Sequence, residues 1–315
     1  MNGNPMTTAY ITHADCLRHE AGPGHPECPD RLASINRHMQ SSGLLEQLRC
    51  VEAPLAQTAD LERVHAPDYV ELIFDSAPTT GHLQLDPDTA MNVHSLDAAR
   101  RAAGAGLAAV DEVTTGRVAN AFCAVRPCGH HATRVRSMGF CIFNNIAVAA
   151  AYALAAKEIE RVAIVDFDVH HGNGTEDMFG NTAWADRILM TSFFQHPFYP
   201  YSGTTSTATN MINVPLAAGS GGAAVRRAFD EHWAPAFEDF RPQMIFISAG
   251  FDAHRDDLLG GMSLIEADYV WLTRALMDVA ASHSQGRIVS MLEGGYHLDA
   301  LGRSVVAHVR TLSGH

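Results

Sequence analysis

Seven short apolar runs recur along this chain: AYITH (9–13), AFCAV (121–125), RVAIVDF (161–167), ILMTSF (188–193), MINVPL (211–216), MIFISAG (244–250) and RIVSML (287–292). Longer alanine-rich stretches with helical patterning separate most of them. Such alternation predicts βαβ units and a parallel sheet. Runs apolar on both faces suit strands covered by helices on both sides. The expected fold class is therefore α/β, with a mostly parallel central sheet of about eight strands. No internal repeat, low-complexity stretch or Pro/Ser-rich linker interrupts the series, so one domain is expected over residues 1–315.

The helices have readable starts. Ser95 is placed to cap SLDAARRAAGAGLAAVDEV, and NNIAVAAAYALAAKEI runs from Asn144. Ser263 and Glu266 have capping-box spacing ahead of the longest late helix. Two segments of loop composition, 80–95 and 195–210, are long enough to serve function; the second is expected to line a pocket mouth or to pack against another subunit of a homo-oligomer.

Composition excludes several classes. The net charge is -13 over 315 residues, without a block of lysines or arginines. Direct nucleic-acid binding is therefore not expected. No stretch approaches eighteen uninterrupted apolar residues, and MNGNPMTTAYITHAD carries no basic segment followed by an apolar one; a cytoplasmic enzyme without a membrane partner is expected. The 6 cysteines form no C-x-x-C pair, which argues against both disulfide staples and a structural zinc ribbon. The 18 histidines are more informative, because several stand beside aspartates and glycines.

Four clusters of titratable residues come directly after apolar runs: RPCGHHA (126–132), DFDVHHGNG (166–174), GFDAHRDD (250–257, with its leading glycine closing the run) and EGGYH (293–297). In an open α/β sheet the carboxyl ends of the strands lie along one edge, where ligands bind. The four clusters are thus expected to converge. Asp168 and His170, two residues apart in extended chain, leave the same face, and Asp252 can supply a third ligand. Two carboxylates and one imidazole make a zinc-like site with an open position. A single D-x-H is more often a turn; four such clusters together favour the metal.

His130 and His131 could be metal ligands or an acid/base pair, and the second role is favoured because three ligands are supplied elsewhere. Each then needs an acceptor that fixes its tautomer, for which Asp166 and Asn173 are the candidates. A carboxylate partner raises imidazole basicity more than an amide, so the two histidines would be electronically unequal. Tyr296, after two glycines, can donate to a developing oxyanion. His171 is expected to be a structural hydrogen-bonding histidine outside the site.

RPCGHHA, GFCIFNN, VDFDVHHGNGTEDMF, SAGFDAHRDDLLGG and LEGGYH, in this order, closely resemble the zinc-dependent histone deacetylase superfamily, in particular its class II members and bacterial amidohydrolase relatives. HPECPDRL (25–32) looks like that family's N-terminal signature. The resemblance covers nearly the whole chain and implies an arginase/deacetylase-like fold. It also implies zinc on Asp168, His170 and Asp252, His131 as general base and acid, His130 as its electrostatic neighbour, and Tyr296 as oxyanion donor. Asp166 would hold His130 and Asn173 would hold His131. A potassium ion is implied near Asp166, Asp168, His170, Ser192 and Phe193. Phe140, Gly139, Tyr199 and Leu259 would line a narrow channel for an acylated amine, either an acetylated lysine side chain or an acetylated small amine, from which acetate is released.

Departures from the family pattern are few. Cys128 stands where proline or glycine is usual and reads as a tolerated small residue in a tight loop rather than a redox group. Tyr199 stands in place of a phenylalanine. Leu259 occupies the position matched to the acidic gatekeeper of acetylpolyamine deacetylases, which favours acyl-lysine, while nearby Asp256 and Asp257 keep polyamines open. A binuclear manganese ureohydrolase would need an acidic residue where Gly172 stands. A catalytically silent acyl-lysine binder would be expected to lack Tyr296, a histidine or a metal ligand.

Overall fold

The computed structural model describes residues 8–206 and 208–315. The initial residues on which the reading of the N-terminus rests in part lie outside that range. Among the described residues, ten strands occur in chain order: β1 (Thr8–Thr12), β2 (Arg49–Glu52), β3 (His82–Gln84), β4 (Ala90–Asn92), β5 (Asn120–Cys123), β6 (Val162–Asp166), β7 (Ile188–Gln195), β8 (Met211–Leu216), β9 (Met244–Ala249) and β10 (Ile288–Leu292). Eight of them form one sheet in the order β2-β1-β5-β10-β9-β6-β7-β8. Every pairing in that sheet is parallel.

Burial follows position in the sheet. All residues of β5, β6, β7, β9 and β10 are buried, so both faces of these strands are covered. The cover comes from helices such as Asp30–Ser41, Glu266–His283 and Leu298–Leu312, which pack together in sequence-distant pairs, and Ser95–Thr114 against Asn145–Ala156. At one edge β2 reads RCVE and is largely exposed. With one aliphatic residue in four it carries no strand pattern, which is why the sequence did not reveal it. At the other edge β8 contains Pro215, a residue tolerated where one side of the strand needs no donor.

Two helix starts differ from expectation. Ser95 is not a cap: the helix Ser95–Thr114 is preceded by His94, and the Ser95 hydroxyl is engaged by Asn92, whose N–H it accepts at 2.8 Å. Ser263 does not cap either; the helix begins at Glu266, and the Asp268 carboxylate accepts the Ile265 N–H at 3.1 Å. Leu264 forms a parallel bridge with His254 and Ile265 is extended, so the serine lies too early for the first helical turn. Asn144 does cap Asn145–Ala156, accepting the Ala147 N–H at 3.1 Å. Within 80–95, expected as loop, β3 and β4 form a short antiparallel hairpin.

The topology decides where chemistry can occur. The four clusters leave β5, β10, β9 and β6, which are consecutive neighbours in the middle of the sheet. Their ends are level: Cys123 pairs with Met291, Ala249 with Leu292, and Asp166 with Ser248.

Candidate active site

Asp168, His170 and Asp252 meet just beyond β6 and β9, with candidate ligand atoms all within 4.8 Å of one another. Nδ1 of His170 lies 3.0 Å from Asp168 Oδ1 and 3.2 Å from Asp252 Oδ2. Both aspartates are buried. Asp252 Oδ2 has no hydrogen-bond partner, although an unpaired buried carboxylate oxygen is costly. Burial and the charge of Asp168 push Asp252 up to about 7. Burial works against a charged His170, yet the two carboxylates outweigh it and push the imidazole up to about 10. The pocket therefore calls for positive charge, and its donor set of two carboxylates and one imidazole nitrogen fits zinc.

Backbone approach makes this packing possible. The Gly294 N–H donates to Asp168 Oδ2 at 2.8 Å, and a Cβ on Gly294 would collide with the carboxylates of both Asp168 and Asp252. Beside the ligands, Asp166 Oδ1 accepts the Asp168 N–H at 3.1 Å, and Ser192 is the register partner of Asp166, with Phe193 next on β7. The residues matched to a potassium site are thus close together, at and just beyond the end of β6 and alongside it within β7.

His130 and His131 lie side by side, ring centroids 4.0 Å apart, but have unlike partners. His130 Nδ1 lies 2.9 Å from Asp166 Oδ2. Burial disfavours its charge, but Asp166, Asp168 and Glu293 outweigh burial and hold it well above the ordinary histidine range. His131 Nδ1 lies 2.7 Å from Asn173 Oδ1, an amide oxygen. Burial and the charges of His130 and His170 hold His131 well below the ordinary range. One imidazole favours the charged form, and the other is a neutral base whose Nε2 is free to accept a proton.

His131 also lines a cavity of about 260 Å³, together with Gly139, Phe140, His170, Phe198, Tyr199, Leu258, Leu259, Tyr296 and Asp88. All four channel residues matched by resemblance are among them. Phe198 stacks on His170 at 5.4 Å, and Tyr199 meets His131 edge-on at 5.3 Å. Phe140 has φ +68°, unusual for an aromatic residue. Its N–H donates to Thr89 Oγ1 at 3.0 Å, and the Gly139 N–H donates to Asp88 Oδ1 at 3.1 Å, so the 86–89 turn holds this conformation in place.

Tyr296 reaches the cavity from the loop after β10. Burial holds its phenol well above the usual range, which keeps it a proton donor. The loop is gripped from two sides. Arg31 donates to the carbonyls of Gly295 (2.6 Å) and Glu293 (2.5 Å), and its guanidinium lies 4.8 Å from the Tyr296 ring centroid. Asp257 Oδ2 accepts the N–H groups of Tyr296 (2.6 Å) and His297 (3.0 Å). Arg31 belongs in turn to a buried network on Glu27, which also receives Arg126 at 2.5 Å and lies 3.3 Å from His19. HPECPDRL is therefore the foundation of the tyrosine loop.

Asp88, Phe198, Leu258 and Arg31 were not singled out from the sequence. Phe198 and Leu258 adjoin residues that were, Arg31 lies in the HPECPDRL motif, and Asp88, in LDPDT, lies in the 80–95 segment, neither of the last two at the end of a strand. Asp256 and Asp257 do not line the cavity: Asp256 lies 3.7 Å from Arg303, and Asp257 is engaged by backbone N–H groups. His171 points away, between Ser202 (2.8 Å) and Glu176 (2.8 Å).

Residues 25–312 match the histone deacetylase domain family. The chain belongs to this family. It is 36% identical to a histone deacetylase-like amidohydrolase of Pseudomonas aeruginosa, over 98% of this chain and 86% of that one. It is 34% identical to the polyamine deacetylase HDAC10 of Mus musculus, over 98% of this chain and 48% of that one. The crystal structure of the HDA15 HD domain superposes with a TM-score of 0.92 at 34% identity, covering 98% of this chain and 90% of that chain. As a deacetylase-family hydrolase it shares that fold, an eight-stranded parallel sheet with helices. Among the described residues, no helix is long and apolar enough to cross a membrane.

Proposed function

We propose that this histone deacetylase-family chain, acting as one catalytic domain, is a zinc-dependent amidohydrolase that removes acetyl groups from acylated primary amines, with the acetyl-lysine side chain as preferred substrate. The observation that carries this reading is the pairing of unlike histidines beside a buried carboxylate oxygen without a partner. Asp168, His170 and Asp252 would hold the zinc. When bound there, zinc supplies Lewis acidity toward the amide carbonyl and acidifies water. A potassium ion near Asp166, Asp168, His170, Ser192 and Phe193 would tie the end of β6 to β7; the pairing of Asp166 with Ser192 supports it. The 6 cysteines, all unpaired, suit a cytoplasmic enzyme.

The chain's own groups perform the proton work. Nδ1–H of His131 donates to Asn173, so Nε2 accepts the proton of the attacking water. Tyr296, kept protonated, donates its hydroxyl hydrogen to the oxyanion. His130, held charged by Asp166, stabilises negative charge beside it. His131 then returns its proton to the amine nitrogen, and the products are acetate and a free amine. Phe140, Phe198 and Tyr199 provide aromatic walls for an aliphatic chain.

A second reading, an acetylpolyamine substrate, is favoured by one feature: Asp88 places a half-buried carboxylate on the cavity wall, where it could meet a distant ammonium. Leu259 at the gatekeeper position favours acyl-lysine. Turnover of acetyl-lysine peptides, acetylputrescine and acetylspermidine by the zinc-loaded protein tests both. Preference for the peptides is expected; a strong polyamine preference would reverse the ranking, and no turnover of any acylamine would sink the reading.

A further inference from the structure

Two cysteines bracket the segment that carries the paired histidines His130 and His131 and one cavity wall. Cys128 precedes Gly129, His130 and His131; Cys141 follows Gly139 and Phe140. Their Sγ atoms are 3.4 Å apart and in contact, with Cys128 3% and Cys141 0% exposed. With Ala132, and with Phe140 packed on them, they form a small apolar cluster separate from the main core. Both sulfurs also approach the Gly139 carbonyl, at 3.9 Å and 3.3 Å.

The Glu293 carboxylate lies close enough to suggest a metal site with the two sulfurs. Its oxygens are already committed, to the N–H groups of Gly129 (2.7 Å) and His130 (3.1 Å) and to the Ser248 hydroxyl (3.2 Å). The sulfurs also lie closer than the ~3.8 Å that two ligands of a tetrahedral zinc would keep. What the pair can form is a bond to itself.

We propose that Cys128 and Cys141 form a reversible disulfide in response to a hydroperoxide, and that this bond lowers turnover at the neighbouring site. The order of events is set by the surroundings of each sulfur. Burial and the adjacent Cys128 keep the Cys141 thiol protonated. Cys128, 3% exposed against 0% for Cys141, is the sulfur that a peroxide reaches first. Cys128 attacks one peroxide oxygen and becomes a sulfenic acid, and the other oxygen leaves as water. The Cys141 sulfur then displaces the sulfenic hydroxyl, which departs with the Cys141 proton as a second water. Two thiols are oxidised and one peroxide is reduced.

A disulfide holds its sulfurs at ~2.05 Å, so closure draws the two ends of the segment together. That movement reaches catalysis because the His131 ring occupies the space where a Cβ on Gly139 would stand. A shift of Gly139 is therefore transmitted to the imidazole. Formation of the bond is independent of the proposed function, whereas its effect on turnover rests on that reading.

The test treats zinc-loaded wild type and Cys128→Ala with hydrogen peroxide, measures turnover, then alkylates the denatured protein and maps its peptides. In the wild type, a cross-linked Cys128–Cys141 peptide lighter by two hydrogens is expected, with turnover reduced roughly tenfold or more and restored by a phosphine reductant. Cys128→Ala should keep its turnover under the same dose. Free alkylation of both cysteines in the treated wild type would overturn the proposal. So would equal loss of turnover in both proteins, or a cross-link without loss. A reduced protein that turns over no acylamine sinks the proposed function, while the peptide mass still decides the disulfide.

Discussion

Asn173 Oδ1 lies 2.7 Å from Nδ1 of His131, whereas the adjacent His130 is bound by the carboxylate of Asp166. Two histidines that are neighbours in sequence thus have opposite proton affinities: carboxylates hold His130 charged, while burial and the charges of His130 and His170 keep His131 neutral beside an amide that offsets them only in part. Asn173→Asp would give His131 a charged partner as well. Because His131 now sits well below the ordinary range, its neutral form persists into mild acid; the substitution raises its proton affinity, so the acid limb of kcat/KM against pH moves toward neutrality by roughly one unit, equivalent to ~1.4 kcal/mol. An acid limb that stays where it is in the wild type would remove His131 from the base role.

Tyr296→Phe removes one hydroxyl and keeps the ring that Arg31 and Phe140 pack against, at 4.8 Å and 5.8 Å. Zinc content and thermal stability should therefore match the wild type. The kcat is expected to fall by about 10²–10³, the scale of losing one oxyanion donor. Stopped assays on an acetyl-lysine peptide, alongside metal analysis, check both halves, and a variant as active as its parent rules out this role.

Zinc binding should strengthen with rising pH. In the metal-free protein Asp252 is pushed up to about 7 and His170 up to about 10, both above their unfolded values. Raised groups contribute stability that is lost as pH rises through the folded values. The apo-protein is thus expected to lose these contributions progressively between about pH 4 and 10, Asp252 first and His170 last, while the ligands become free of protons and available to metal. The gain in melting temperature on adding zinc should accordingly be larger at pH 8.5 than at pH 6. Differential scanning fluorimetry with and without chelator reads this, and a gain that is largest in acid contradicts it.

Much of this site was legible because parallel strands end abruptly: the apolar run stops, and the residues after it must face the crevice. That is why Asp168, His170, Asp252, His130, His131 and Tyr296 could be placed by position alone. The hidden parts depend on long-range packing. The edge strand β2 has an exposed RCVE sequence without periodicity, and Arg31 touches the tyrosine loop across 264 residues. Asp88 enters the cavity only because a hairpin folds 86–89 against Gly139. Ser95 and Ser263 differ for the opposite reason: a nearer local competitor wins, Asn92 engaging the Ser95 hydroxyl and Asp268 accepting the Ile265 N–H at the start of the later helix.

Glu27 offers a test of stability rather than chemistry. Burial alone would raise its carboxyl, but Arg126, His19 and Arg31 outweigh burial and hold it well below the usual range. A depressed carboxyl contributes stability that is present above its unfolded value and lost as pH falls. Glu27→Gln leaves Arg126 and Arg31 buried with only part of their partner, so a loss of about 3–5 kcal/mol is expected. Urea denaturation at pH 7 measures it. A loss under ~1 kcal/mol would mean that the backbone carbonyls of Cys16, His19, Glu293 and Gly295 suffice for the two guanidiniums.

Substrate choice is expected to turn on two side chains at the cavity. Leu259 adds no charge there, and Asp88 supplies a half-buried carboxylate. In Asp88→Asn the new amide oxygen still accepts the Gly139 N–H, so the Phe140 wall keeps its place and only charge is lost. For a partly solvated pair that charge contributes up to ~1 kcal/mol, about fivefold in kcat/KM. The loss should therefore fall on acetylputrescine and leave a neutral acylamide unchanged. Leu259→Glu works in the other direction, adding a carboxylate to the cavity lining and raising the ratio of acetylputrescine to acetyl-lysine turnover. Equal effects of either substitution on charged and neutral substrates would show that the cavity discriminates by shape alone.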